Sequence, residues 1–424
     1  MLEQRRTAPR GEIFAWTLFD FANTAFSVII VTVIFSRYFI NHVAGGQRWL
    51  WGLAVSLSMI CAAALSPPLG AAADFSRNKK LFLFLFTLAC VLCTGLMFFV
   101  GEGMIVAGIL LFVVANIGFE GGLVFYDAFL PGLTNKTSYG RVSGYGFAMG
   151  YLGALAVLLI VIVILPPATD PGYLFMVRLS FVLAAVFFLV FSIPLFMVVH
   201  EPMAERSPSA SIIREGMGRA ASTFRMLFVR KEFPSIARFL IAFFIYNDGI
   251  LTVIAFAAIF AENVLRMTDA EIIVFFAVVQ SSAIVGSLVF GIITDKIGPK
   301  KTISVTLLLW IAIVVGAFFV NSITTFYVVA LGAGVAIGSS QSASRSLMAL
   351  LTPKEQEAEF FCFYDGLCGK ASAVVGPLVY GILADLTNER IAALAIGLFF
   401  VAGFVVLQKV VEPERKLPVL ENAG

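Results

Sequence analysis

Charge is scarce in this chain: Asp, Glu, Lys and Arg make up 13% of its 424 residues, against about 25% in soluble domains. There are two histidines, His42 and His200, which leaves a His-based metal or catalytic centre without ligands. Five cysteines (61, 90, 93, 362, 368) all fall in apolar runs, so no disulfide framework is expected. Cys90 and Cys93 have the spacing of a redox pair, but a thiolate is strongly disfavoured in an apolar helix, and packing is the better reading. No Walker lysine loop, zinc helix or nucleophile elbow is present. Gly144-Tyr-Gly146-Phe-Ala-Met-Gly150 fails the dinucleotide-binding pattern on spacing and lacks a preceding strand. A net charge of +3 points to no nucleic-acid partner. Neither an enzyme nor a bound cofactor or metal is expected.

Apolar length is what the chain has in abundance. Hydrophobic residues make up 60% of it, 43 of them Phe, and the mean hydropathy is +0.97. Repeated apolar runs of about 20 residues match the length of a helix crossing a lipid bilayer, and no alternation suggests a membrane barrel. Twelve spans are predicted, near 14–40, 49–73, 81–100, 104–130, 143–166, 175–199, 234–261, 270–294, 301–320, 324–351, 359–384 and 389–411. Of the 29 Lys and Arg residues, 21 fall in the amino terminus, the even-numbered loops and the carboxyl terminus. The positive-inside rule therefore places both termini in the cytoplasm. The first apolar run contains Asp20 and is too long for a signal-peptide core, so no cleaved leader is expected.

The chain carries a duplication. Gly70, Asp74, Lys79 and Lys80 recur as Gly291, Asp295, Lys300 and Lys301, each 221 residues on. Leu133-Thr134-Asn-Lys136 recurs as Leu351-Thr352-Pro-Lys354 at a separation of 218, which pairs spans five and eleven. Two six-helix halves follow, residues 1–200 and 234–424. Between them, 201–233 reads as a cytoplasmic linker with an amphipathic helix on the inner membrane surface, in which Met217, Phe224, Leu227 and Phe228 alternate with Arg214, Arg219, Arg225 and Arg230. A plain flexible linker is the alternative.

Gly-x-x-x-Asp followed by basic residues, after spans two and eight, resembles the signature loop of the major facilitator superfamily. Gly70 and Gly291 would let helices approach closely. Asp74 and Asp295 can accept hydrogen bonds from the first amides of a neighbouring helix. With Arg77 and Lys296 they form the expected gating loops; a purely topogenic loop is the competing reading. Small-residue pairs at Gly118 and Gly122, Gly146 and Gly150, and Gly334 and Gly338 suit helix contacts or bends.

Ionisable groups inside spans are costly, about 2.5–3.5 kcal/mol each at the bilayer centre, and mark function by default. Asp20, Asn23, Thr24 and Ser27 form one stripe on span one, and Asn116, Glu120 and Asp127 share a face of span four. Span seven offers Tyr246, Asn247, Asp248 and Thr252, and span ten Gln341, Ser344 and Arg345; Lys370 lies midway along span eleven. Spans one, four, seven and ten line the cavity of the facilitator fold, so the resemblance makes these the expected site. Structural ion pairs are the alternative, above all for Asp127 and Asp365.

Longer strings narrow the likeness. Trp16-Thr-Leu-Phe-Asp20-Phe-Ala-Asn23, Phe125-Tyr-Asp127-Ala-Phe-Leu-Pro131, Ser143-Gly-Tyr-Gly-Phe-Ala-Met-Gly150, Tyr246-Asn-Asp248-Gly and Glu357-Ala-Glu359-Phe-Phe-Cys-Phe-Tyr364 resemble the "unknown major facilitator" group. That group includes the autophagy-associated vacuolar amino-acid effluxer. The chain departs from it at Cys362 and Asp365, where Gly and Asn are commoner. The resemblance implies an all-α transporter working by alternating access. On that reading Asp20, Glu120 or Asp248 takes the coupling proton or sodium ion. Asn23, Tyr246, Asn247, Gln341, Arg345 and Lys370 would meet a small-molecule substrate, an amino acid or related carboxylate being favoured. A cation-coupled sugar symporter and a non-transporting receptor or scaffold remain as alternatives. A monomer in a bacterial inner membrane is expected.

Overall fold

The structure, a computed structural model, describes residues 8–167, 169–201 and 210–413. The basic residues at 5, 6, 415 and 416 and the polar stretch 202–209 of the expected linker lie outside the described residues. Among the described residues there are helices and no strand. Among the described residues eleven helices are long and apolar enough to cross a membrane. They are Arg10–Val43, Arg48–Ser76, Lys79–Phe99, Ile105–Leu133, Tyr139–Ile164 and Tyr173–Val198, then Pro234–Leu265, Val274–Ile297, Pro299–Phe319, Ile323–Leu351 and Glu389–Gln408. These are spans one to ten and span twelve.

Span eleven differs from the continuous helix expected. It runs as Glu357–Phe361, a π-helical stretch Cys362–Gly369, and a second helix Val375–Leu386. The chain leaves the helix at 372–374, and Pro377 explains the break. A proline ring clashes with the carbonyl four residues earlier, which falls at Ala373, while Pro is tolerated in the first turn of the new helix. Interrupted spans are stable in a bilayer only where the freed backbone is buried in protein, and here Asp248 Oδ1 accepts from the Gly376 N–H at 2.8 Å.

The halves meet along two seams that the duplication makes equivalent, span two against span eleven and span eight against span five. A Cβ on Gly70 would lie 2.7 Å from the Ala358 carbonyl, and one on Gly366 would lie 2.4 Å from Ser66 Cβ. In the other seam, a Cβ on Gly140 would lie 2.5 Å from the Gly291 carbonyl, and one on Gly144 would lie 2.3 Å from the Ser287 carbonyl. At Gly70, Gly140 and Gly144 a backbone carbonyl of the facing helix fills the space of a side chain, and at Gly366 the Ser66 side chain does.

Each half is also tied to its own end. Glu201 accepts from the amides of Lys79 and Lys80 at 2.7 and 2.8 Å, and Glu412 accepts from the Lys300 amide at 3.3 Å. Both cap the start of a helix, where negative charge is favoured. Burial pushes the Glu201 carboxyl above its usual range, against the pull of those amides and the two lysines. Glu201-Pro202 and Glu412-Pro413 are thus a further duplicated element, visible in the sequence as a repeated Glu-Pro after spans six and twelve.

The linker does form a helix, Ala210–Phe224, but protein covers part of its surface. A Cβ on Gly216 would lie 2.4 Å from the Pro68 carbonyl of span two, and the Arg219 guanidinium stacks 4.3 Å from the Phe75 ring. Met217 and Phe224 stay exposed.

Candidate functional site

Every described hydrogen bond or ion pair between spans one to six and spans seven to twelve lies between the middle of the bundle and the end that carries the Asp74 and Asp295 loops, hereafter the loop end. At the rim, Asp74 accepts from the Ala358 and Glu359 amides at 3.1 and 2.8 Å, the first amides of span eleven. Asp295 accepts from the Gly140 amide at 2.8 Å and from Arg141 Nε at 2.6 Å, at the start of span five. Arg77 faces Glu355 at 3.8 Å on the surface, Lys79 pairs with Glu357 at 3.2 Å, and Lys296 is exposed. Gly70 and Gly291 stand one turn before the two aspartates, at the tight contacts described above.

Deeper in, Arg345 crosses from span ten into the first half. Its Nη1 lies 2.7 Å from Asp127 Oδ1 and 3.5 Å from Asp20 Oδ2. Its Nε donates to Ser143 Oγ at 3.0 Å and its Nη2 to the Ser143 carbonyl at 2.8 Å. The guanidinium is 1% exposed and lies 4.0 Å from the centre of the Phe147 ring. Asp20 is held in turn by the Tyr126 hydroxyl at 2.8 Å and by Asn23 Nδ2 at 3.3 Å. Trp16 stacks on Tyr126 and donates to its carbonyl. The stripe on span one, which has no basic residue of its own, therefore receives one from the opposite half.

A second crossing lies beside it. Lys370 pairs with Glu120 of span four and with Asp365 of its own span, the latter at 3.1 Å. The remaining candidates form a neutral polar group within the second half. Tyr246 and Ser344 share a hydrogen bond of 2.6 Å, Asn247 Nδ2 donates to Ser372 at 2.7 Å, and Gln341 Nε2 donates to Asn247 at 3.4 Å. Asp248 is fully buried, and its Oδ2 has no hydrogen-bond partner. Among the described residues no group of side chains is arranged to hold a metal ion.

Both ion-pair clusters have one base and two carboxylates, and the division of charge between the halves is uneven. Spans one and four bring three carboxylates, Asp20, Glu120 and Asp127, and spans ten and eleven bring both bases. Sequence reasoning found these residues but not their partners. Tyr126, Ser143 and Asp365 had not been assigned to the site, and the string around Ser143 was the only signal for the second of them.

The glycine contacts give a direct test of the seam. Gly144→Ala would press a methyl group into the Ser287 backbone, which has no rotamer to yield, whereas a Cβ on Gly150 meets nothing closer than 3.7 Å. Overpacking of this kind costs about 1–3 kcal/mol. Gly144→Ala is expected to open spans five and eight and cut transport at least tenfold, with Gly150→Ala near wild type in the same vesicle assay.

Residues 51–418 match the family described as "Vacuole effluxer Atg22 like". The uncharacterized MFS-type transporter YxiO of Bacillus subtilis is 29% identical over 94% of this chain and 94% of its own length. Autophagy-related protein 22 of Yarrowia lipolytica is 25% identical over 79% of this chain and 70% of its own. Among solved structures, the human organic anion transporter MFSD10 superposes with a TM-score of 0.76 at 14% identity, covering 94% of this chain and 99% of that one. The fucose:proton symporter of E. coli does so at 0.74 and 14% identity, covering 95% and 98%. The fold is shared with both. With the match reaching from span two past span twelve, the chain belongs to the Atg22-like family and is a membrane transporter of the major facilitator superfamily.

Proposed function

We propose that this protein is a secondary active transporter that moves an amino acid, or a related carboxylate-bearing metabolite, by alternating access with proton coupling. One observation carries the reading: acids on the first half and bases on the second meet directly across the midline, with Arg345 shared between Asp127 and Asp20. When the halves part at the loop end, these charges separate. A zwitterion presents an ammonium group to the acids and a carboxylate to Arg345, so it can bridge the two charged faces once they part. Asn23, Tyr246, Asn247 and Gln341 would complete the site with neutral hydrogen bonds. Asp20, Glu120 and Asp248 are the candidates for the coupling proton. The moving units would be residues 1–200 and 234–424, joined by 201–233, and the midplane site fits the general plan of repeat-built transporters.

The test is counterflow of labelled amino acids, sugars and organic anions in proteoliposomes, preceded by a thermal-shift screen. A ligand at 100 times its Kd stabilises by roughly 2.7 kcal/mol. Exchange of an amino acid, with net flux that responds to an imposed proton gradient, is the expected result. Counterflow of a sugar alone would favour a sugar symporter, and no counterflow of any solute would favour a receptor.

The charge asymmetry of the loops supports a cytoplasmic loop end and cytoplasmic termini, and a bacterial inner membrane is the proposed location. Impermeant thiol reagents should therefore reach cysteines introduced at 215 or 424 only after the membrane is opened. Labelling of either position from the outside in intact cells would invert the topology.

A further inference from the structure

We infer that Glu120 is where the coupling proton is taken up, that the Lys370 ammonium displaces it when the loop end closes, and that Asp365 holds Lys370 while the halves are apart. The inference rests on the alternating-access reading above and specifies its ion site.

The geometry begins with the irregular start of span eleven. In an α-helix, a residue five positions on lies about 140° round the axis, too far to share a face. A π-helix bonds each carbonyl to the amide five residues on, which brings such positions into line. The π-helical stretch Cys362–Gly369 therefore sets Asp365 and Lys370 side by side, 3.1 Å apart at Oδ2 and Nζ. Gly369 leaves the room for this, since a Cβ there would lie 2.7 Å from Asp365 Oδ1.

Lys370 thus has one carboxylate that travels with it and one that does not. Glu120 belongs to the opposite half, on span four, and its pairing with Lys370 exists only with the loop end closed. The ionisable groups facing Glu120 are few. Span eleven contributes Lys370 and Asp365, span three contributes the buried Cys90 thiol, and Asp127 lies two turns further along span four, paired with Arg345. Span two brings the neutral Ser58, which accepts from Asn116 at 2.8 Å.

Opening consequently affects the two carboxylates differently. Asp365 keeps its ammonium partner. Glu120, about nine-tenths buried while the loop end is closed, loses its cation and faces the exposed side from a span-four stretch of apolar and glycine residues. With the Lys370 ammonium gone, nothing opposite Glu120 favours its charged form over its protonated one, and a proton from the exposed side takes the place of the ammonium. On closing, Lys370 Nζ returns, the Glu120 O–H bond breaks, and the proton leaves to water as the ion pair re-forms. Charge balances at each step, and no other co-reactant is needed. Sodium is a poor substitute, because among the described residues no group of His, Cys, Asp and Glu side chains is arranged to hold a metal ion.

Hydrogen exchange of the full-length protein in lipid nanodiscs tests this without knowledge of the substrate. Exchange in the peptides covering 139–146 and 357–369 reports loop-end opening, after correction for the intrinsic pH dependence of exchange. Wild type is expected to open as pH falls, with the same curve in sodium and potassium buffers. Glu120→Gln mimics the protonated form, so these peptides should exchange rapidly at every pH. Asp365→Asn moves the curve the other way, to lower pH, because the open form then leaves Lys370 without its own carboxylate while the closed form still offers Glu120. A purely structural ion-pair cluster predicts that both variants loosen the loop end alike. That outcome, a pH response that persists in Glu120→Gln, or a response to sodium at constant pH, overturns the assignment. If wild type opens at no pH and transports nothing, alternating access itself fails. Opening that is present but indifferent to pH refutes only the role of Glu120.

Discussion

Arg345→Ala is expected to abolish transport and to lower the thermal stability of the purified protein more than any other single change in the polar interior. Removing the guanidinium leaves Asp127 and Asp20 as buried carboxylates with no cation. Breaking a buried pair from one side costs about 3–5 kcal/mol. It also vacates the space between Phe147, Trp16 and Tyr126, whose rings lie 4.0–5.6 Å from the guanidinium carbon. The carboxylate partners should rank by geometry. Asp127→Asn removes the charge at 2.7 Å and should matter more than Asp20→Asn, where the contact is 3.5 Å and Tyr126 and Asn23 can still bond to an amide. Arg345→Lys should fall between wild type and Arg345→Ala. One ammonium cannot serve Asp127 and both oxygens of Ser143 with the fixed fork of a guanidinium. Unfolding midpoints and counterflow rates on the four variants decide. An Arg345→Ala protein as stable as wild type would show that the cluster is solvated rather than a buried lock.

Much of the fold could be read from the chain because a bilayer leaves few options. Apolar runs of the right length must be helices, and the lysines and arginines between them record which loops share a side. The repeat at Gly70 and Gly291 paired span two with span eight, and Leu133 with Leu351 paired span five with span eleven. Those pairings are the ones that make the two observed seams equivalent. The break in span eleven was harder to see, since Gly376 and Pro377 lie in a run whose composition is otherwise that of a spanning helix. The effect of Pro377 falls on Ala373, four residues away, and the run scores as apolar throughout.

For the site, periodicity identified which residues share a face of one helix but carried no information about the partner helix. Asp20 therefore looked unpaired, although Arg345 stands beside it from 325 positions further along the chain. Arg345 and Lys370 were read as binders for a substrate anion. In this structure each is already matched by two carboxylates, and Arg345 can meet a ligand only once the halves separate. Asp365 resisted assignment for a different reason: α-helical spacing places it off the face of Lys370, and the π-helical stretch that aligns them leaves no periodic signature in eight residues.

The aspartates at the rim should control how long the closed arrangement lasts. Asp74 and Asp295 each accept two backbone amides at the start of a helix from the other half, and hydrogen bonds to a charged acceptor contribute about 1.5–3 kcal/mol each. Asp74→Ala is therefore expected to shift the balance between closed and open forms by about 3 kcal/mol or more, a factor of about a hundred or more. The informative signal lies away from the substitution. Faster exchange at the Ala358 and Glu359 amides would follow merely from losing their acceptor. If the two seams open as one rigid-body motion, Asp74→Ala must also speed exchange at Gly140 to Ser143, in the seam that Asp295 closes, and Asp295→Ala must do the same at Ala358 and Glu359. The two variants stabilise neither seam directly for the other, so their effects should add in the double variant. A binding partner that prefers the open form would then bind more tightly to each. Exchange confined to the altered seam, with transport unimpaired, would show that these aspartates are local helix caps and that the loop end is gated elsewhere.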